Sequence, residues 1–204
     1  MHCLACWRTS EVWRLGGNLE PSYVVLAVAI GGVLLVAMLY NGLVARRNRV
    51  QSAWADIDVQ LKRRHDLVPN LVESARGYIA HERQTLEAVT QARTQAISAG
   101  ANVALRASAE MQLGGAISNL FAVAERYPAL RATENMQLLQ EQLTSTENRI
   151  AFARQHYNDT VLEYNTAVAS FPRNLLAGAL GFSAASMFTA EESDRDVPQA
   201  NLKP

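Results

Sequence analysis

The side chains that most often perform catalysis or bind metal are few in this sequence and lie far apart. Cys3 and Cys6 form a C-x-x-C pair, but no second pair of Cys or His residues follows to complete a zinc site. Two cysteines this close to one end cannot build a disulfide framework across the chain. We therefore predict neither a metal site nor a redox function for this pair.

The remaining candidates for catalysis are also poorly placed. His65, His81 and His156 have no regular ligand spacing, and the Glu-x-x-His pairs that bind metals in helical bundles do not occur. Asp56 and Asp58 are two residues apart, so on a helix they point to different sides. No phosphate-binding loop, nucleophile elbow or dinucleotide fingerprint occurs either. The sequence predicts a protein that is not an enzyme and needs no cofactor, metal or small-molecule substrate.

One long predicted helix, with apolar positions from Met136 to Phe171, carries residues that are better suited to binding another macromolecule than to catalysis. Its polar side chains could bind a partner or fix the register of packing. At 100° per residue, Phe152 and Leu162 project from roughly the side opposite to the apolar seam of this helix. The candidate partner-binding residues are Asn148, Arg149, Phe152, Asn158, Leu162 and Asn165. Ordinary solvation of the polar residues and core packing of the two apolar ones stay open as alternatives.

Charge limits the kind of partner. The formal net charge is zero, which gives no reason to expect nucleic acid. A local basic cluster, Arg46, Arg47 and Arg49, is a candidate contact for anionic lipid head groups. Setting the orientation of a membrane helix is a simpler role for the same arginines.

These arginines directly follow an uncharged segment, residues 23–44. Its 22 residues would extend about 33 Å as a helix, which matches a hydrocarbon core of about 30 Å. Tyr23 and Tyr40 lie where interfacial aromatic residues belong. A cleaved signal peptide is the rival interpretation, but no small-x-small cleavage site ends the run. We predict a transmembrane helix, and the excess of basic residues after it predicts that the rest of the chain is cytoplasmic.

Apolar spacing predicts helices beyond this segment. A seven-residue ladder from Trp54 to Ala96 predicts one long helical stretch that continues, kinked, through Pro69. A second stretch covers residues 103–127. The third has the clearest seam, with positions seven apart from Met136 to Phe171.

The last apolar run, residues 175–188, resembles a short helix or cap. The predicted fold is all-α, with an N-terminal transmembrane helix followed by an elongated antiparallel bundle of three to four helices. The predicted divisions are a tail at 1–22, the membrane helix at 23–44, the bundle at 45–188 and a disordered acidic tail at 189–204.

Several segments together resemble the LemA family. They are YNGLVARRN (40–48), IDVQLKRRHDLVPNLVE (57–73), GYIAHE (77–82), TENRIAFARQHYND (146–159), YN (164–165) and FPRNLLAGALGF (171–182). The resemblance implies a bacterial protein with one membrane helix and a soluble helical bundle, without established enzymatic activity. It supplies no catalytic residues. The polar positions that match the family pattern are Asn48, Arg64, Asp66, Asn70, Asn148, Arg149, Asn158 and Asn165.

The patterns predict a single-pass membrane protein that acts as a scaffold or protein-interaction module, and the resemblance implies that the membrane is the bacterial inner membrane. Its expected partners are the lipid bilayer and either another protein or a second copy of the chain. The alternative is a module that binds or organises the lipid surface through the basic segment after the anchor.

A fragment covering residues 45–188 should fold as a soluble helical domain without any cofactor, because its predicted seams are apolar and no metal-ligand spacing is present. Circular dichroism of the purified fragment, with and without a chelator, checks this expectation. Loss of helical signal on chelation would show that a metal site had been overlooked.

Overall fold

The computed structural model describes residues 21–79, 81–100 and 102–188. Over these residues the chain forms helices and no strands, which confirms the all-α prediction. The tail that contains both cysteines and the acidic tail at 189–204 lie outside the described residues. The helices are α1 (Pro21–Arg76), α2 (Arg83–Ser98), α3 (Val103–Ala124), α4 (Pro128–Arg131), α5 (Glu134–Ala169) and α6 (Arg173–Ala177).

The chain divides into two compact units, one ending at Gly42 and the other beginning at Leu43. The described part of the first unit is the apolar start of α1, which is long and apolar enough to cross a membrane. Its large side chains are exposed, as a lipid-facing helix requires. The protein thus has a candidate transmembrane helix near its N-terminus. The limits of the predicted domains stay predictions.

Helix α1 continues through Pro69, as predicted. The expectation that the same stretch extends to Ala96 is wrong, because α1 ends at Arg76 and the chain turns before α2. Ile79 anchors this turn, since its side chain is fully buried in the core. The apolar ladder is interrupted at Glu82, which is the residue directly before α2.

Helix α5 buries the predicted seam along most of its length. Phe171, predicted as the last seam residue, is instead 78% exposed because α5 ends at Ala169. The expected helix or cap over residues 175–188 is also only partly correct, since α6 ends at Ala177 and residues 182–188 form no helix. Most buried positions of α5 recur at spacings of three and four, with half-buried Ala153 between Ile150 and Tyr157 and with Val161 directly after Thr160. The buried residues are Met136, Leu139, Leu143, Thr146, Ile150, Tyr157, Thr160, Val161, Tyr164 and Ala167.

Three buried clusters form the core of the second unit. The first joins the end of α1 to α2, α3 and the start of α5. The second joins Ile57 of α1 to Ile150 of α5, and the third joins Leu43 to Tyr164. Residue numbers rise along α1 while they fall along α5, so the two helices run antiparallel. In the second and third clusters, residues between Ala177 and Phe188 complete the packing.

A buried ion-pair network links three of these helices. The side chains of Arg64 on α1 and Glu110 on α3 are 3% and 5% exposed and contact each other directly. The same guanidinium donates from Nη1 to Oε2 of Glu147 on α5, at 2.8 Å. His65 Nε2 lies 2.9 Å from Glu110 Oε1. An ionised carboxylate can only accept, so Nε2 is the donor in this hydrogen bond.

The charge state of Glu110 follows from its partners. Burial raises the pKa of this carboxyl, but the hydrogen bond from His65 and the positive charge of Arg64 outweigh burial and lower the pKa below its ordinary value of 4.5. A carboxyl whose pKa is lowered by folding stabilises the folded state fully above the pKa of the unfolded chain. That contribution is lost as the pH falls through the folded pKa.

Replacing Glu110 with Gln should lower the free energy of unfolding by about 3 kcal/mol at neutral pH, because a buried guanidinium then loses its buried counter-charge. The matched control is Glu147→Gln, at a carboxylate that is 57% exposed, which should cost about 1 kcal/mol or less. Urea unfolding of the full chain in detergent, followed by circular dichroism, measures both. The wild type should also lose stability below about pH 4.5, and Glu110→Gln should reduce that loss. Equal costs for the two variants would contradict this account.

Candidate functional site: the two faces of helix α5

Two asparagines on α5, seven residues apart, bind the backbone of residues 182–188, which we call the strap. The side-chain amide of Asn158 donates to the carbonyl of Phe188 at 3.0 Å, and its oxygen accepts from the amide of the same residue at 2.8 Å. Asn165 makes the same pair of hydrogen bonds with Ala185, at 3.0 and 2.8 Å. Each asparagine therefore satisfies both backbone groups of one strap residue, as a neighbouring β-strand does.

A tyrosine precedes each of these asparagines and adds a further hydrogen bond to the strap. The hydroxyl of Tyr157 donates to the carbonyl of Ser186 at 2.8 Å, and that of Tyr164 donates to the carbonyl of Ser183 at 2.9 Å. Burial raises the pKa of Tyr157 above 10.0, so its hydroxyl stays protonated and able to donate.

The spacing of these contacts shows that the strap is extended. The two tyrosines bind strap residues that are three positions apart, Ser186 and Ser183. The two asparagines do the same with Phe188 and Ala185. Seven helical residues rise about 10.5 Å, and three residues of extended chain rise about 10 Å. A helical strap would advance less than half of that distance. The strap therefore runs antiparallel to α5 as extended chain.

Aromatic side chains anchor both ends of the strap. Phe182 is buried in the third cluster. Phe188 is 3% exposed, with its ring centroid 6.2 Å from that of Trp54 and the guanidinium of Arg154 4.4 Å above its face. A cation over an aromatic face is attracted by the ring quadrupole. Apolar burial thus holds the ends of the strap while hydrogen bonds hold its backbone.

The structure separates the predicted partner-binding residues into two groups. Asn158 and Asn165 are half-buried, and their side chains bind the protein's own strap. Asn148 and Arg149 are exposed on α5 and border a shallow surface depression of about 680 Å³ together with Phe152. Binding of a separate partner by any of these residues stays a prediction.

The two apolar candidates lie on the side of α5 that faces solvent. Phe152 is 72% exposed and Leu162 is 55% exposed. Sequence reasoning missed Leu138, which is 50% exposed and lies two heptads before Phe152. These residues belong to one row, spaced alternately by three and four, in which every member is exposed. This row, which we call the outer stripe, consists of Leu138, Glu141, Ser145, Asn148, Phe152, Gln155, Asp159, Leu162 and Thr166.

The candidate lipid-contact arginines lie at the start of the second unit. Arg49 pairs with Glu163 of α5 at 3.7 Å, and both side chains are more than half exposed. Such a pair contributes little to stability, so it leaves this arginine available. Arg47 is exposed and Arg46 is half-buried. Lipid contact by these three residues stays a prediction.

Across the described ranges, no group of three or more His, Cys, Asp or Glu side chains is arranged to hold a metal ion. His65 and Glu110, the buried pair of this kind, are engaged with Arg64 in the network that links the helices.

Known proteins resemble this chain over most of its length. Magnetosome protein MamQ 2 of Paramagnetospirillum magneticum is 25% identical over an alignment of 212 positions, which covers 91% of this chain and 78% of the relative. Protein LemA of Metamycoplasma hominis is 25% identical over 164 residues, which cover 80% of this chain and 75% of the relative. Neither name denotes an enzymatic activity. Residues 53–201 match the LemA family, and because this match covers most of the chain, the protein belongs to that family.

Proposed function

We propose that this protein is a non-enzymatic, membrane-anchored scaffold that docks an amphipathic helix of a partner protein on the outer stripe of α5. The observation that supports this proposal best is the exposure of Leu138, Phe152 and Leu162 on the side of α5 opposite to its buried seam. Three large apolar side chains in one solvent-facing row, interspersed with polar ones, are a candidate interaction surface.

The spacing of the outer stripe favours a helical partner. Side chains that alternate at three and four residues form a nearly straight row along a helix, and such rows pack against a second helix at a small crossing angle. Arg149 and Asp159 border or belong to the stripe and are exposed, so they can select the direction of the partner through its charges.

The internal contacts support a structural role over a catalytic one. Arg64, His65 and Glu110 are buried, and Glu110 is bonded to both of the others, so these three groups are engaged within the bundle. Tyr157 and Asn158 are engaged by the strap. The names of the relatives, magnetosome protein and protein LemA, denote no enzymatic activity.

Replacing Phe152 and Leu162 together with Ser should abolish docking without destabilising the fold. Both side chains are mostly exposed, so the free energy of unfolding should change by about 0.5 kcal/mol or less. Crosslinking in native membranes should lose the partner band, while thermal unfolding of the purified variant stays unchanged.

Val59→Ser together with Leu105→Ser is the matched control, because these residues are 63% and 62% exposed and lie on α1 and α3. The control should keep every crosslink. A product of twice the chain mass that persists in the control and disappears in the test pair would identify a second copy as the partner. A large drop in melting temperature for the test pair, or crosslinks that survive it, would refute the docking surface.

We also propose that the chain crosses the inner membrane once and that its second unit, which begins at Leu43 and which we call the helical unit, is cytoplasmic. Basic residues are more frequent directly after the candidate span, at Arg46, Arg47 and Arg49, than before it. Protease added outside intact spheroplasts should leave the helical unit undigested, and digestion should follow only after lysis. Digestion in intact spheroplasts would reverse the orientation.

A further inference from the structure

The connection between α5 and the strap exposes large apolar side chains. Phe171 is 78% exposed, Leu175 is 68% exposed and Leu180 is 44% exposed. All three lie within residues 171–181, which contain the short helix α6. They are separate from the outer stripe, which ends with α5. Several exposed apolar side chains within one short segment are a candidate site for contact with a membrane or a protein.

The packing of this connection shows what lies beside it. Ala177 and Phe182 are buried in one cluster with Leu43 of α1, and Val44 packs against the same cluster. Leu43 and Val44 are also the last two residues of the uncharged segment 23–44 that is long enough to span a bilayer. Ala177 of this connection is therefore packed beside the residues at which the uncharged segment ends.

The chemistry of the connection fits the same boundary. Between Glu163 and Glu191 the only charged residue is Arg173, so this part of the chain lacks the charged rim typical of surfaces that meet soluble proteins. Arg46 and Arg47 follow Val44 by two and three residues, where the phosphates of anionic lipids begin. Apolar side chains beside basic ones are typical of segments that lie in a membrane interface.

We propose that residues 171–181 form an interfacial loop that inserts Phe171, Leu175 and Leu180 into the boundary between lipid head groups and acyl chains. The bilayer is the covering for these side chains, and it gives the helical unit an attachment to the membrane in addition to α1. This attachment depends on apolar insertion and is distinct from docking on the outer stripe.

The test uses the full chain with Cys3→Ser and Cys6→Ser, so that one new cysteine carries the only fluorescent label. The label is placed at Leu175→Cys, and the matched control places it at Leu138→Cys, which is about 45 Å away along α5. Both proteins are reconstituted into vesicles of phosphatidylethanolamine and phosphatidylglycerol. Quenching is measured with lipids that carry a spin label near the head-group end of the acyl chain.

The label at position 175 should be quenched at least about twofold more strongly than the label at position 138, because interfacial side chains lie about 5–10 Å inside the head-group boundary. Adding Phe171→Ser and Leu180→Ser should reduce this quenching while circular dichroism stays unchanged. Equal quenching at the two positions would overturn the proposal. So would a label at position 175 that is buried against protein and is not quenched by the spin-labelled lipids.

Ionic strength separates this mode of attachment from attraction through the arginines. Apolar insertion should keep its quenching in concentrated salt, whereas contact through exposed arginines is screened. Loss of quenching at position 175 in high salt would assign the contact to the basic segment and overturn apolar insertion.

Discussion

The packing of the strap on α5 depends on a match between the rise of an α-helix and the rise of an extended chain. An α-helix rises about 10.5 Å in seven residues, and an extended chain rises about 10 Å in three. Tyr157 and Asn158 recur seven residues later as Tyr164 and Asn165, so one face of α5 presents the same hydrogen-bonding group twice at the spacing of an extended chain. The strap can therefore pack along α1 and α5 in the second and third clusters, whose buried residues include none from α2. Because the strap is bound in this register, its aromatic ends fill the second and third clusters.

This arrangement divides α5 into faces with different tasks. The seam and the Tyr-Asn pairs of α5 pack against the rest of the helical unit. The buried Arg64–Glu110 contact, which lies away from the strap, joins α1 to α3. The outer stripe has no such use within the described chain and is available to a partner. Residues 171–181 join α5 to the strap, and their Ala177 packs in one cluster with Leu43 of α1. The two proposals, docking of a partner on the outer stripe and insertion of residues 171–181 into lipid, together describe a protein suited to positioning a partner at a membrane.

Sequence periodicity predicted the parts of this structure that repeat. The seam of α5 and the passage of α1 through Pro69 follow from spacing alone, because a helix imposes its period on every buried residue. The strap could not be predicted in this way, since an apolar run with two glycines suits a short helix as well as an extended chain. Asn158 and Asn165 were predicted to bind a partner, which stays a prediction. The structure shows instead that they bind the chain's own backbone, which lies 30 and 20 residues away in the sequence. Glu110 was missed because its partner Arg64 is 46 residues distant and only the fold brings them together.

Hydrogen exchange at the strap tests the central claim most directly. The backbone amides of Ala185 and Phe188 donate to Asn165 and Asn158, so both should exchange much more slowly than amides of an unstructured chain. Asn165→Ala should release the amide of Ala185 while that of Phe188 stays protected, and Asn158→Ala should do the reverse. Exchange of both amides at the unprotected rate in the wild type would contradict the account, because α5 would then not hold the strap through these side chains.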